Sequence, residues 1–228
     1  MFTTLNPLPE PARRRKVESE RIKYAGNEFY TSRLVSKKAD NRKFIQKFLR
    51  ECRVPVILPT DNNVRMLKYK IMLNTVLRFC SPKTTDAAFY DPLGDITCIF
   101  FAAVKAFRTV FLVSENDVYD AINENLLSHS GICAVRKQKL TEIDRADIII
   151  SAADLPFSSA PYVFGEYGWF VDNSPVFSCP FPELPAYADI YSAAAGIEEY
   201  FGEKRISAAY CENFSGGGVI TPAESFFK

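Results

Sequence analysis

Short, uninterrupted apolar runs alternate with amphipathic stretches through the middle of the chain. The runs are rich in β-branched and aromatic residues, which predicts strands that are buried on both faces. Parallel strands need crossover connections, so helices between such strands predict a mostly parallel α/β sheet. The predicted strands cover residues 87–90, 109–113, 132–135 and 147–152, and the predicted helices cover 96–107 and 118–128, with a helical turn over 140–145.

A smaller α/β segment precedes this sheet. Asp40 can cap a helix with apolar positions between Phe44 and Leu49, and a short strand over 54–58 leads to a helix over 64–79. Pro55 favours an edge position for that strand, because proline has no amide hydrogen for a ladder bond. A linker over 81–85 marks a boundary. We therefore expect a basic arm and small α/β segment over 1–85, and the larger α/β domain over 86–228.

The two ends of the chain are less regular. The first dozen residues and the basic run from Arg13 to Lys16 have no hydrophobic period, which predicts a mobile arm or a surface-bound tail. Asp189 can cap a helix that runs to about residue 201. The small residues from Ala193 to Gly196 predict that this helix lies close to a neighbour. Further predictions for the tail are strands over 169–171 and 206–211, a proline-rich surface segment over 175–185 and a glycine loop over 216–218.

The charge is unevenly distributed along the chain. The net charge is +1, but residues 1–50 carry 13 basic and 5 acidic side chains, and residues 151–228 carry 3 basic and 10 acidic ones. Near-neutrality argues against a uniformly basic nucleic-acid-binding protein, so nucleic acid is not an expected partner. Opposite charges at the two ends are compatible with pairing within one chain or with a homo-oligomer.

Several classes of protein are excluded by the remaining composition. No apolar stretch has the length of a membrane span, and the first residues lack the apolar region of a secretory signal, so we expect a cytoplasmic protein with no membrane partner. The six cysteines form no C-x-x-C pair, and His129 is the single histidine, which predicts no metal site. We expect most of the cysteines, Cys98 and Cys211 among them, to be small core residues, and His129 to lie at a helix C-terminus.

Candidate binding residues follow the predicted strands, because ligands of open parallel sheets bind at the carboxyl ends of the strands. We expect these residues to contact a small-molecule ligand. They are Asp91, Gly94 and Asp95 after the first strand, Ser114 and Glu115 after the second, and Ala152 and Ala153 after the fourth.

This layout resembles a Rossmann-type nucleotide-binding domain over about residues 86–154, and the tail to about 215 is compatible with it. The resemblance implies a nucleotide or nucleotide-like ligand, with NAD or NADP as cofactor and, if the protein is an enzyme, an oxidoreductase reaction. Glu115 corresponds to the acidic residue that binds ribose hydroxyls in such domains. The glycine fingerprint is degenerate: Gly94 is the single glycine over 91–95, and Asp91 and Asp95 place carboxylates where a phosphate would bind.

Two alternatives remain open at this point. S-adenosylmethionine-dependent methyltransferases share the early strand order and the acidic residue, and their cationic ligand tolerates nearby carboxylates, but their glycine-rich loop is missing here. The other alternative is a non-enzymatic Rossmann-like scaffold or assembly protein that has lost its cofactor site. The sequence identifies no catalytic residues, since it contains neither G-x-S-x-G nor a P-loop. The aromatic residues over 162–177 are interpreted as packing residues.

Overall fold

The computed structural model describes residues 1–11, 14–38, 40–153, 155, 160–165, 168–169, 174–177, 184–185, 187–203, 209–216 and 219–227. Its strands are β1 (Thr3–Glu10), β2 (Lys16–Tyr24), β3 (Asn27–Val35), β4 (Val56–Ile57), β5 (Asp86–Tyr90), β6 (Thr109–Val113), β7 (Val135–Arg136), β8 (Ile148–Ser151), β9 (Tyr162–Gly165), β10 (Gly168–Trp169), β11 (Ser174–Phe177), β12 (Cys211–Gly216) and β13 (Val219–Pro222). Its helices are α1 (Arg42–Glu51), α2 (Asn62–Phe79), α3 (Thr97–Ala106), α4 (Val118–Ser130), α5 (Ile190–Phe201) and α6 (Ala223–Phe226), with 3-10 turns at Pro82–Thr84 and Leu140–Glu142.

The chain divides into two compact units. One consists of Met1–Lys68 and Cys179–Ala208, and the other of Tyr69–Ser178 and Ala209–Lys228. These units describe how the chain packs. The domain boundary predicted at the linker near residue 85 stays a prediction.

The second unit contains the predicted parallel sheet. In it β7, β6, β5, β8 and β9 pair in parallel in that order, and β10 pairs with β9 antiparallel. Counted along the chain from β5, the parallel strands have the order 3-2-1-4-5, which is the order at the start of a Rossmann sheet. The central strands are apolar and buried on both faces. The predicted Rossmann-like α/β fold is confirmed.

The strand predicted over 132–135 shares only Val135 with β7, and further differences from the predicted elements lie in the tail. The fifth parallel strand, β9, was not predicted. It lies in the stretch interpreted as aromatic packing residues, and its Tyr162 and Phe164 are residue types that are common in strands. Of the strand predicted over 169–171, Trp169 ends β10, and 170–171 lie outside the described residues. Of the strand predicted over 206–211, only Cys211 lies in a strand, β12, and 206–208 lie outside the described residues. Residues 178–183 of the proline-rich segment and 217–218 of the glycine loop also lie outside the described residues.

The first unit corrects the expectation of a mobile N-terminal arm. Its sheet has the order β2-β3-β1-β4, so β1 lies between two strands and pairs in parallel with both. Phe2 and Leu5 are buried, and these apolar contacts hold the segment in the core. The pairing of β1 with β3 shifts between Asn6 and Glu10, where prolines interrupt the donor pattern and hide the strand from a sequence pattern.

Helix α5 confirms two predictions made for the tail. The Asp189 carboxylate accepts hydrogen bonds from the Ser192 amide at 2.7 Å and from its hydroxyl at 2.6 Å, so Asp189 caps the helix. A Cβ at Gly196 would lie 2.5 Å from Phe2 Cζ and 2.7 Å from Ile57 Cδ1, so the small residue permits a close contact. The short strand β4 pairs with β1 at the edge of its sheet, as Pro55 predicted.

Cysteine burial and helix ends give a mixed outcome. Cys211 is buried as expected, but Cys98 is exposed. The expectation for Cys98 was wrong because Ile99, Phe100 and the other buried side chains of α3 fix a helix face that excludes it. His129 lies in the last turn of α4, as predicted. In the part of the chain that the structure describes, no helix combines the length and apolar composition required to cross a membrane.

Candidate functional site

Backbone hydrogen bonds tie together the carboxyl ends of the central parallel strands. The Asp91 amide donates to the Val113 carbonyl at 3.0 Å, and the Ala152 amide donates to the Tyr90 carbonyl at 2.8 Å. The predicted site residues after β5, β6 and β8 therefore lie at one edge of the sheet. This is the edge where open α/β sheets bind ligands.

A cleft of about 470 Å³ opens at this edge, next to the ends of β5, β6 and β7. Two of the predicted residues, Ser114 and Glu115, line it, and Glu115 is exposed. The volume falls within the range of small-molecule sites, which is roughly 300–1,000 Å³. The cleft is lined by Tyr90, Pro92, Val113, Ser114, Glu115, Arg136, Lys137 and Gln138.

The Asp91 side chain is fully buried and turned into its own loop. Its Oδ1 accepts hydrogen bonds from the amides of Gly94 at 3.0 Å and Asp95 at 2.9 Å. Its Oδ2 accepts from the Ile96 amide at 2.8 Å and from the Tyr119 hydroxyl at 2.5 Å. The structure thus brings Asp91, Gly94 and Asp95 together through internal hydrogen bonds, and the contact of these residues with a cofactor stays a prediction.

The loop after β6 is fastened to the loop after β5. The Ser114 hydroxyl donates to the Asp91 carbonyl at 2.5 Å, and Asn116 Nδ2 donates to the Leu93 carbonyl at 2.6 Å. Gly94 has a φ of +81°, and a Cβ there would lie 2.7 Å from Asn116 Nδ2. Glycine is therefore required at this position both by the backbone conformation and by the close approach of Asn116.

Tyr119 joins this network from α4. Its ring is fully buried and packs edge-on against Phe100 with centroids 4.7 Å apart. Burial, and after it the hydrogen bond to the Asp91 carboxylate, raises the pKa of the Tyr119 hydroxyl far above its usual range. Tyr119 is therefore a neutral hydrogen-bond donor to Asp91 near neutral pH.

The alanines after β8 occupy a different place. Ala152 is buried, the Ala153 amide lies 3.3 Å from the Ser151 hydroxyl, and neither alanine is part of the cleft lining given above. The buried Tyr69 hydroxyl donates to the Ser151 carbonyl at 2.6 Å and so supports the end of β8 from α2. A cofactor contact of Ala152 and Ala153 stays a prediction.

Two basic residues at the end of β7, Arg136 and Lys137, were missing from the candidates. Arg136 is ion-paired with Asp120 and donates to the Ser114 carbonyl at 3.0 Å. Lys137 Nζ lies 4.0 Å from a Glu142 carboxylate oxygen. The sequence could have identified them, because ligands bind at the carboxyl ends of parallel strands and residues 136–138 follow the third predicted strand. Tyr69 and Tyr119 could not be identified in this way, since both come from helices.

The strand order and the cleft at the strand ends define a Rossmann-like α/β protein. The sequence matches no protein-family model and no curated protein. The crystal structure of L-tryptophan dehydrogenase from Nostoc punctiforme aligns with 60% of this chain and 48% of its own at 14% identity, with a TM-score of 0.34, and this weak likeness carries no functional argument. Within the described residues, no group of three or more His, Cys, Asp or Glu is placed to hold a metal ion.

Proposed function

We propose that the cleft binds an adenosine-containing small molecule and that Glu115 accepts hydrogen bonds from its ribose hydroxyls. The observation that carries the proposal is an exposed carboxylate at the end of β6, in a cleft of about 470 Å³ at the carboxyl edge of a Rossmann-ordered sheet. A carboxylate is an acceptor with two oxygens, which suits a pair of neighbouring hydroxyls.

The other lining residues are compatible with a nucleoside. Tyr90, Pro92 and Val113 supply apolar surface for a ring, and Gln138 supplies amide donors and an acceptor for its edge. NAD and S-adenosylmethionine carry an unmodified adenosine ribose, so the proposal covers both of these cofactors. NADP carries a phosphate on one of the two ribose hydroxyls, which Glu115 would repel, and its binding stays a prediction of the sequence. An oxidoreductase reaction stays a prediction.

Substitution of Glu115 tests the ribose contact. Glu115→Ala should weaken binding of adenosine about tenfold or more, because a hydrogen bond to a charged group contributes roughly 1.5–3 kcal/mol and 1.4 kcal/mol corresponds to a factor of ten. Isothermal titration calorimetry on both proteins measures the two dissociation constants.

A matched control separates this contact from a general charge effect. Glu124 is exposed on α4, and Glu124→Ala should leave the dissociation constant unchanged. Equal affinity of the wild type and Glu115→Ala would refute the assigned role of Glu115. Absence of binding heat with adenosine, NAD, NADP and S-adenosylmethionine alike would refute the binding proposal itself.

A further inference from the structure

The loop that would receive a phosphate already holds an anion. The amides of Gly94, Asp95 and Ile96 precede α3, where the unpaired N–H groups and the helix dipole attract negative charge. In Rossmann domains this position takes the pyrophosphate. Here the Asp91 carboxylate accepts from all of these amides at 2.8–3.0 Å.

The carboxylate is enclosed rather than placed at the surface. Asp91 is fully buried, and the Tyr119 hydroxyl closes it from the side of α4. The Asn116 side chain, bonded to the Leu93 carbonyl, presses against Gly94 from the side of the next loop. A phosphate from a ligand could reach the amides only by displacing a carboxylate that is already satisfied, and it would meet a like charge.

The charges around the cleft do not compensate for this. Arg136 is ion-paired with Asp120, and Lys137 lies near Glu142, so both cations of the lining face a carboxylate of the protein. Glu115 adds a further negative charge at the mouth of the cleft. For the phosphates of a ligand, the amides of the loop are therefore already bonded to Asp91, and the two cations already lie beside carboxylates of the protein.

We propose that Asp91 acts as a built-in anion that excludes a 5′-diphosphate, so that the cleft selects nucleosides whose 5′ substituent is neutral or cationic. This inference rests on the proposed function, because it specifies the ligand class of the same cleft. Asp91 is then a residue that determines specificity without touching the ligand. Its hydrogen bonds fix the conformation of the loop, and its charge repels the phosphates that a glycine-rich loop would attract.

Calorimetric titration of the wild type in 150 mM salt with adenosine, S-adenosylmethionine, ADP and NAD tests the inference. We expect the dissociation constants for ADP and NAD to exceed that for adenosine at least tenfold. Binding of ADP or NAD as tight as that of adenosine would overturn the exclusion by Asp91 and leave the binding proposal standing. No binding of any of these compounds would overturn both.

A charge-removing variant assigns the effect to Asp91. Asp91→Asn should narrow the ratio of the ADP and adenosine dissociation constants about tenfold, and Asp117→Asn, an exposed change of the same charge at the start of α4, should leave the ratio unchanged. A folded Asp91→Asn protein with an unchanged ratio would refute the role of Asp91. If circular dichroism shows that this variant does not fold, the ligand series on the wild type decides.

Discussion

Gly196 offers a direct test of packing at the level of a single residue. The ring of Phe2 stacks on Phe29 with centroids 4.8 Å apart and lies where a side chain at Gly196 would need space. Gly196→Ala should lower the free energy of unfolding by about 1–3 kcal/mol, because overpacking forces shifts in a dense core. Urea unfolding followed by circular dichroism measures the change.

A double-mutant cycle identifies the clash as the cause. Gly196→Ala should be less destabilising by about 1 kcal/mol in a Phe2→Leu background, since the smaller side chain leaves room. Gly202 follows the same helix, with a φ of +69° and open space where a Cβ would lie. Gly202→Ala should lower the free energy of unfolding by about 1–2 kcal/mol in both backgrounds, because the cost comes from the backbone conformation. Equal effects of Gly196→Ala in the two backgrounds would exclude Phe2 as the obstacle.

Residue roles were predictable where they depend on local sequence. The Asp189 cap and the small residue at Gly196 were predicted, because a cap and a close helix contact leave a local pattern. The partner of Asp91 was not predictable, because Tyr119 lies 28 positions away and meets it only through the pairing of β5 with β6. The face occupied by Cys98 likewise depends on how α3 rests on the sheet.

At the scale of elements, an ion pair clamps the start of β5 to the residue that precedes β6. The Arg108 guanidinium reaches both oxygens of Asp86 at 2.8 and 2.5 Å, and this hydrogen bonding lowers the pKa of the Asp86 carboxyl. Arg108→Gln should reduce the free energy of unfolding at pH 7 by about 1 kcal/mol or less, because the pair is partly exposed to solvent.

The pH dependence distinguishes charge from packing in this clamp. A carboxyl with a lowered folded-state pKa stabilises the protein above its unfolded-state pKa of about 3.9, and this contribution is lost as the pH falls through the lowered value. The difference in the free energy of unfolding between wild type and Arg108→Gln, measured by urea unfolding, should therefore be largest at pH 7 and 5 and should shrink below about pH 4. Arg145→Gln, an exposed change of the same kind, should show little effect, and a pH-independent difference at Arg108 would exclude the ion pair.

Elements were predictable where burial dominates. The strand β6 has its predicted bounds, because a buried parallel strand is an apolar run. The hairpin of β2 and β3 has no such run: its ladder pairs charged residues such as Arg33 and Glu18, which are half-buried, so the hydrophobic pattern did not predict it. The end of β7 was not predicted for the same reason: both residues of this strand are exposed, so no apolar run marks it.

At the scale of the whole molecule, the first ten residues should be essential for folding. Deletion of residues 1–10 removes β1 from between β3 and β4 together with the buried Phe2 and Leu5. We expect loss of cooperative unfolding of the first unit, measured by hydrogen exchange at the amides of β3, because a strand paired on both sides cannot be removed without exposing the core. Arg14→Ala, which removes an exposed charge just beyond the deleted residues, should leave hydrogen exchange at the amides of β3 unchanged. Native protection in the deleted protein would restore the view of a dispensable arm.

Some of the basic residues near the N-terminus form ion pairs within the first unit. Arg21 pairs with Glu28, and Lys16 pairs with Glu18. The scaffold alternative and a homo-oligomer stay predictions. Both of these ion pairs lie within residues 1–50, so they do not cancel the excess of basic residues counted there, and a role of the charge gradient in association stays a prediction.

The ring of Phe2 also sets an order of events during synthesis. It packs against Phe201 with centroids 5.5 Å apart, and both belong to a unit whose two segments are separated by more than a hundred residues of sequence. At roughly 5–20 residues per second, the ribosome needs on the order of ten seconds to deliver α5 after the first segment has emerged. Phe2 and β1 are therefore made well before α5, and the aromatic surface of Phe2 stays uncovered on that side until α5 has been made.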